Sequence, residues 1–296
     1  MAEVLLADPA HRALPAGIHD VADRDRVADG EAGDGGPGFG HHARELVSRH
    51  QGPTPFAVVA ADGVQIAVAD AAVVHSDRKV VPYVVRDRFA HPLPAGLDPA
   101  AAAPLLCAGI TVWEPLHTLG VGPHSRVAVA GLGGLGHLAV KIAVALGADT
   151  SVISRSPDKA DDARRLGAHA LVVSTDQEQM ADARDRFDVV IDTISAPHDL
   201  GPYLRLVAMD GTLSHLGHLG PVTVETIDLL VGRKKLSSAG SGGRPATTAM
   251  LDFCAEHGIT ADIELLPSAR VNEALERLGR NDVRYRFVLD MSDLAA

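Results

Sequence analysis

The stretch Val127–Lys141 reads VAVAGLGGLGHLAVK and decides the fold of the chain. Its first four residues are apolar and predict a short strand. Gly131, Gly133 and Gly136 follow as G-x-G-x-x-G, and apolar residues then recur at the 3.6-residue helical period until Gly147. A strand, a glycine-rich turn and a helix in this order predict a doubly wound parallel α/β sheet of the Rossmann type, with a dinucleotide site at the turn.

Each glycine of the turn has a predicted physical role. Gly131 permits a tight turn, Gly133 lets a pyrophosphate approach the backbone, and Gly136 lets the helix pack close to the sheet. The start of the helix adds unbonded N–H groups and a partial positive charge. We therefore expect six residues of the turn to bind the cofactor: Gly131, Leu132, Gly133, Gly134, Leu135 and Gly136.

The next predicted strand, Thr150–Ser154, indicates which nucleotide is bound. It ends 18 residues after Gly136 (154 minus 136), near the offset of about 20 residues where NAD enzymes place an acid for the ribose. No acid stands there; instead hydroxyl and cationic side chains follow, which suit a 2′-phosphate. NADP(H) is therefore favoured over NAD(H), and the open alternative is a solvated polar loop. The residues concerned are Ser154, Arg155, Ser156 and Lys159.

Length and composition bound the function. The chain has 296 residues, enough for two domains, and 46% of them are hydrophobic. Its net charge of −11 argues against a nucleic-acid partner and against binding to an anionic membrane. Two cysteines, Cys107 and Cys254, exclude a disulfide framework and fit a reducing cytoplasm. Neither a signal peptide nor an apolar run of about 18 residues is expected.

The N-terminal part has an unusual composition. Of the first 55 residues, ten are Val, Ile, Leu or Phe, which is below the roughly 20% that a chain needs to build a core. We expect residues 1–80 to be aberrant and partly disordered, with a hairpin over 56–74 and an edge strand over 80–89. His41 and His42 could bind a metal as a pair, but a solvated pair is favoured in so polar a segment.

The remainder alternates predicted strands and helices, which is typical of a parallel sheet covered on both faces. Helices are predicted from Asp98 and Pro99, and over 108–119, 159–166, 177–184, 200–207, 246–257 and 269–278. Strands are predicted over 170–173, 188–193, 212–215, 263–266 and 285–289.

Several stretches resemble one known family. From about Val84 onward, some two thirds of the chain is similar to the zinc-dependent medium-chain alcohol dehydrogenases, in particular their cinnamyl alcohol dehydrogenase branch. The stretches are AAAPLLCAGITVWEPL (101–116), VAVAGLGGLGHLAVKIA (127–143), SRSPDK (154–159), FDVVIDTISAPHDL (187–200), MLDFCAEHGI (250–259) and DVRYRFVLDM (282–291).

The resemblance implies an activity and an organisation. The activity is reversible oxidation of primary alcohols to aldehydes with NADP(H). A β-rich, GroES-like catalytic domain, here incomplete, would be built from residues 1–107 and the returning segment 247–296, with an NADP-binding domain over 108–246 between them. The family also implies a homodimer that pairs through the edge strand of the nucleotide sheet, around 229–241.

The resemblance also assigns site residues. Cys107 matches a ligand of the catalytic zinc, and Thr111 lies where the family contacts the nicotinamide; we assign Thr193 to the cofactor site as well. The Cys-His-Ser-Asp and Gly-His-Glu stretches that supply the other zinc ligands are missing, as are four cysteines of a structural zinc.

Two alternatives therefore stay open. Cys107 either binds a catalytic zinc or is a buried thiol, and a structural zinc is not expected. The chain is either an NADP-dependent alcohol and aldehyde oxidoreductase or an inactive nucleotide-binding remnant. One hypothesis is that residues 1 to about 80 come from a truncated or frame-shifted gene of the family.

Polar residues after two predicted strands complete the candidates. Asp192 is expected to order the loop that lines the cofactor cleft, and His198 and Asp199 to cap the helix that follows. His215 and His218 either approach the nicotinamide or are ordinary loop histidines, the latter being favoured.

Overall fold

The computed structural model describes residues 91–240 and 242–291, together with the backbone of Ala67–Val68. The hairpin and the edge strand predicted before residue 90 lie outside these residues, as do His41 and His42. None of the described helices is long and apolar enough to cross a lipid bilayer.

Six parallel strands form the main sheet. After β1 (Ala67–Val68), which belongs to a second sheet, they are β2 (Arg126–Ala130), β3 (Asp149–Ser154), β4 (Ala170–Val173), β5 (Phe187–Asp192), β6 (Val207–His215) and β7 (Lys235–Ser237). Their order is β4-β3-β2-β5-β6-β7. The direction of winding reverses between β2 and β5, where Rossmann folds bind dinucleotides. The predicted fold class is confirmed.

Helices cover both faces of this sheet. They are α1 (Pro99–Ala102), α2 (Ala108–Thr118), α3 (Gly136–Ala145), α4 (Ala160–Arg165), α5 (Gln177–Asp182), α6 (Gly201–Leu204), α7 (Thr226–Leu230), α8 (Arg244–Glu256) and α9 (Val271–Gly279). Short 3₁₀ turns span Ala103–Leu106, Pro157–Lys159 and Ser268–Arg270. Asp98 caps α1, as predicted, by accepting a hydrogen bond from the N–H of Ala101 at 3.0 Å.

The strands divide their side chains between two cores because successive residues point to opposite faces. Val127 and Ile191 pack on one face, in a cluster shared with α2, α3 and α8. Val190 and Leu213 pack on the other face, in a cluster shared with α6. By the same alternation, Asp192 at the end of β5 belongs to the second face.

A second sheet contains β1, β9 (Arg286–Asp290) and β8 (Ile263–Pro267) in that order. Both pairings are parallel, and Ala67 lies opposite Val288. A small core formed by Leu266, Ala274, Phe287 and Leu289 lies between this sheet and α9.

One predicted helix is wrong at its C-terminal end. The helix expected over 200–207 ends at Leu204, and Val207 begins β6, five residues before the predicted start of that strand. Leu206 and Val207 are buried, and Val207 pairs with Phe187. A short apolar run fits either period, and here pairing with β5 decides. The other predicted elements of the described residues are present, with ends moved by one or two residues.

Candidate functional site

The glycine-rich turn has the predicted geometry. Gly131 has a φ of +88°, which a side chain disfavours. A Cβ at Gly136 would lie 1.9 Å from the carbonyl oxygen of Gly131, so α3 can begin this close to the turn only with glycine. By contrast, none of the described atoms lies within 4 Å of a Cβ built on Gly133. The backbone of Gly133 is therefore open to a ligand.

Thr193 supports this turn from the neighbouring strand. Its Oγ1 lies 2.8 Å from the carbonyl oxygen of Ala130 and 3.1 Å from that of Gly131, and it donates to them. The end of β5 therefore fixes the position of the turn after β2.

Arg286, at the start of β9, is a residue of the site that the sequence reasoning missed. Its side chain reaches the glycine-rich turn, where Nε donates to the carbonyl oxygen of Gly134 at 3.1 Å. Only 8% of the residue is exposed, and no carboxylate among the described residues forms an ion pair with it. Burial lowers the pKa of Arg286 to about 10, partly opposed by nearby Cys107, so the guanidinium is charged at pH 7.

The absence of a side chain at Gly134 makes this contact possible. A Cβ there would lie 2.5 Å from Nε of Arg286. The glycine-rich turn and the C-terminal strand therefore form one site, with a buried cation in it. No local pattern in the sequence connects residues so far apart; the only signal was an arginine at the start of a predicted strand.

His137 anchors the turn to the C-terminal segment in a neutral form. Its Nδ1 lies 3.0 Å from the carbonyl oxygen of Gly133, which can only accept, and its Nε2 accepts from the N–H of Asp262 at 3.3 Å. The ring also stacks on Tyr285 at 4.8 Å. Burial lowers the pKa of His137 to about 3.

The loop after β3 is ordered by its own serines. Oγ of Ser154 accepts from the N–H of Ser156, and Oγ of Ser156 accepts from the N–H of Asp158. Arg155 is exposed. Burial lowers the pKa of Lys159, and the cation of Arg284 adds to this effect. The structure thus brings a second C-terminal arginine, which the sequence reasoning missed, to this positive loop.

Cys107 and Thr111 lie one helical turn apart at the start of α2, where the N–H of Thr111 donates to the carbonyl oxygen of Cys107. Oγ1 of Thr111 donates to the carbonyl oxygen of Gly240 at 2.9 Å, just after β7. Cys107 is half-buried, and burial raises the pKa of its thiol despite the nearby cation of Arg286. Arg286 therefore neighbours both the cysteine and the glycine-rich turn.

A separate polar cluster lies on the other face of the sheet. Asp192 and His215 are register partners at the ends of β5 and β6, and Nδ1 of His215 lies 2.6 Å from Oδ2 of Asp192. Nε2 of His198 lies 3.0 Å from the same oxygen. Oδ1 of Asp192 accepts from the N–H of Ile194, so Asp192 orders the loop after β5, as predicted.

Among the residues that the structure describes, this is the one place where three groups able to bind a metal converge, within 4.8 Å of one another. Cys107 is not part of it. The expected cap on α6 is formed by Asp199, whose Oδ1 accepts from the N–H of Gly201. The prediction that His198 also caps this helix is wrong, because its ring turns to the buried carboxylate.

Comparison with known proteins shows which proteins the chain is similar to. Residues 134–256 match the profile of the zinc-binding dehydrogenases. The chain is 47% identical over 214 residues to NADP-dependent alcohol dehydrogenase C 1 of Mycolicibacterium smegmatis, a match that covers 71% of this chain and 61% of that protein. It is 44% identical over 216 residues to probable cinnamyl alcohol dehydrogenase 6 of Arabidopsis thaliana, covering 72% and 60%.

Comparison with solved structures shows the same similarity. A cinnamyl alcohol dehydrogenase of Sorghum bicolor superposes with a TM-score of 0.68 at 45% identity, covering 70% of this chain and 59% of that one. The CAD of Helicobacter pylori, solved in complex with NADP(H), gives a TM-score of 0.61 at 32% identity, covering 67% and 57%. The chain thus spans about three fifths of the length of these relatives, and over the residues that it shares with them it is similar to the zinc-binding dehydrogenases.

Proposed function

We propose that the chain is an NADP(H)-dependent oxidoreductase that interconverts primary alcohols and aldehydes. One observation carries the cofactor part of the proposal: the charged guanidinium of Arg286, buried against the turn that precedes α3. A buried cation is stabilised by an anion. A dinucleotide pyrophosphate supplies that anion at the switch point of the sheet, next to the start of a helix.

Different residues would bind the different parts of the cofactor. The backbone of the glycine-rich turn and Arg286 would hold the pyrophosphate, and Thr193 would keep that turn in place. The positive loop with Arg155 and Lys159 would bind the 2′-phosphate, which supports NADP(H) over NAD(H). Thr111 and the chain after β7 would face the nicotinamide, which when bound carries the hydride.

Among the described residues, Cys107 is the one residue that the family resemblance assigns as a ligand of the catalytic zinc. The family's other zinc ligands would have to come from residues before 91, and the Lewis acid would then polarise the substrate oxygen. The described residues by themselves do not form this zinc site. The proposal therefore assigns to them the binding and orientation of the cofactor and no step at the metal.

The test separates turnover from binding. NADPH binding is measured by fluorescence titration, and NADPH consumption by absorbance with cinnamaldehyde, benzaldehyde and aliphatic aldehydes in buffer containing zinc. Binding with turnover that a chelator abolishes supports the zinc-assisted oxidoreductase. Binding without turnover supports the alternative, a nucleotide-binding remnant. Failure to bind NADPH contradicts both.

We also infer the organisation of the chain. Residues 108–246, which include the whole six-stranded sheet, would form the cofactor domain, and residues 1–107 and 247–296 the catalytic domain. Strand β7, at the edge of the sheet, would pair with a second copy to give a homodimer, which size-exclusion chromatography with light scattering tests. The cytoplasmic location expected from the two cysteines stays a prediction.

A further inference from the structure

The cluster of Asp192, His198 and His215 presents a problem of charge. Asp192 is fully buried, and a buried carboxylate is costly unless a cation or several hydrogen bonds stabilise it. The arginine that lines the cavity bordering the cluster, Arg205, is already paired with Asp228 at 3.1 Å. The groups that face Oδ2 of Asp192 are two imidazole nitrogens.

The hydrogen-bond partners of His198 sharpen the problem. Its Nδ1 lies 2.9 Å from the carbonyl oxygen of Ala196, which can only accept, so Nδ1 carries a proton. In a neutral ring, Nε2 then has no proton and presents its lone pair. That lone pair faces the carboxylate of Asp192 at 3.0 Å, and Nε2 is buried without a hydrogen-bond donor among the described residues. Two electron-rich atoms at this distance repel each other unless a proton or a metal ion lies between them.

His215 shares the same carboxylate oxygen. Its Nδ1 lies 2.6 Å from Oδ2 of Asp192, and its Nε2 is buried with no hydrogen-bond partner among the described residues. Only 7% of His215 is exposed. In both rings, therefore, Nε2 is buried without a hydrogen-bond partner among the described residues, close to one buried carboxylate.

We propose that Asp192, His198 and His215 bind a divalent transition-metal ion, zinc being the ion that best suits two imidazoles and a carboxylate. Ligand atoms about 2.0–2.1 Å from zinc in a tetrahedral site stand about 3.3 Å from one another. The observed separations of 2.6 and 3.0 Å from Oδ2 of Asp192 are shorter than this value, and all three ligand atoms lie within 4.8 Å of one another. The side chains must therefore shift to complete the site.

The surroundings of the cluster match those of known metal sites. Metal-binding histidines usually donate their second ring N–H to a carbonyl or carboxylate, as His198 does to Ala196. The N–H of Ile194 holds Oδ1 of Asp192. His198 and His215 also line a cavity of about 590 Å³, which leaves a fourth position for water, a small anion or the neighbouring His218.

This site differs from the one that the family resemblance assigns to Cys107. It contains no thiolate, and it lies at the ends of β5 and β6, on the face of the sheet that α6 covers. The two sites can therefore be told apart by their ligand chemistry.

The first experiment uses the full chain, stripped with a chelator and titrated with Zn²⁺ by calorimetry and with Co²⁺ by absorption. We expect Co²⁺ bound in Cys107→Ser to show visible bands without the near-ultraviolet thiolate band. His198→Ala and His215→Ala should each weaken Zn²⁺ binding at least about 100-fold, a loss above the range of about 10- to 100-fold seen when groups behind metal ligands are removed. His169→Ala, a change at an exposed histidine outside the cluster, is the matched control.

Two results overturn the proposal. In the first, both cluster variants bind Zn²⁺ as tightly as the wild type. In the second, Cys107→Ser abolishes metal binding, which would place the ion at the cysteine.

A second measurement needs no variant and so does not depend on the folding of His215→Ala. Wild-type protein with isotope-labelled histidine is titrated with Zn²⁺, and the ring nitrogen signals are followed by NMR. Zn²⁺ should shift the signals of His198 and His215 while leaving that of exposed His169 unchanged, since coordination occupies a ring lone pair. Unchanged ring signals of His198 and His215 in the presence of Zn²⁺ overturn the proposal.

Discussion

Two buried charges of opposite sign define two different regions of this molecule. Arg286 brings a cation to the glycine-rich turn, and no carboxylate of the described residues pairs with it. Asp192 brings an anion to the opposite face of the sheet, where two imidazole rings face it. The first region is shaped to receive an anionic ligand and the second to receive a cation.

The two regions also arise differently from the chain. The cation comes from a residue 152 positions away from the turn that it serves. The anion and His215 are 23 positions apart and meet because β5 and β6 are adjacent and in register. A ligand site can therefore be built either on a local motif completed from a distance or on the ends of neighbouring strands and the loop that follows one of them.

The largest effect should follow removal of the cation. Arg286→Met should raise the Kd for NADPH about 100-fold, roughly 2.7 kcal/mol, because a charge-assisted contact to the pyrophosphate is lost. Zn²⁺ binding at the Asp192 cluster should stay unchanged, since Arg286 forms no hydrogen bond or ion pair with Asp192, His198 or His215. Fluorescence titration and calorimetry measure the two constants, with exposed Arg280→Met as the control. A change of less than about threefold in the Kd for NADPH would remove Arg286 from the cofactor site.

A smaller effect is expected on stability when the glycines of the same turn are replaced, because a new side chain changes its shape without changing its charge. Gly136→Ala should lower the free energy of unfolding by about 2 kcal/mol, because its Cβ would meet a backbone oxygen that cannot move aside. Gly133→Ala, where the new Cβ has space, should change stability by less than about 0.5 kcal/mol while weakening NADPH binding. Urea unfolding of both variants makes the comparison. Equal stability of the two would contradict the close approach of α3 to the turn.

A third effect concerns pH, because His137 is a buried titratable group that stays neutral. Its folded-state pKa of about 3 lies below the unfolded value of 6.5, so between these values the unfolded chain binds the extra proton. The contribution of His137 to stability should therefore fall as pH falls, by about 1.4 kcal/mol between about pH 7.5 and about pH 5.5. Urea unfolding should show that His137→Gln lacks this part of the pH dependence, whereas His169→Gln keeps it. An unchanged slope in His137→Gln would show that the ring is not buried in neutral form.

The smallest effect is expected at the positive loop, because Arg155 is exposed and its charge is screened by solvent. Arg155→Ala should weaken NADPH binding about fivefold, roughly 1 kcal/mol, and leave NADH binding unchanged. The ratio of the two dissociation constants is the measurement, and Arg164→Ala, on the neighbouring helix, is the control. Equal weakening of both cofactors would mean that Arg155 does not read the 2′-phosphate.

The sequence predicts best what is encoded locally. The glycine spacing correctly predicts the strand, the turn at Gly131 and the close start of α3, since all of these depend on neighbouring residues. Arg286 could not be assigned to the turn, because the contact depends on how the C-terminal segment folds back. The pairing of Asp192 with His215 required the register of two strands, and β6 itself begins five residues earlier than its pattern predicts.

The distance in sequence between Gly134 and Arg286 also has a consequence for synthesis of the protein. The ribosome releases the glycine-rich turn some 150 residues before the guanidinium that reaches it. A nascent chain can thus complete its six-stranded sheet, which ends at Ser237, while its phosphate-facing turn still lacks the cation. Full affinity for an anionic ligand is reached only after β9 has been translated and has docked, so tight ligand binding reports that the C-terminal strand is in place.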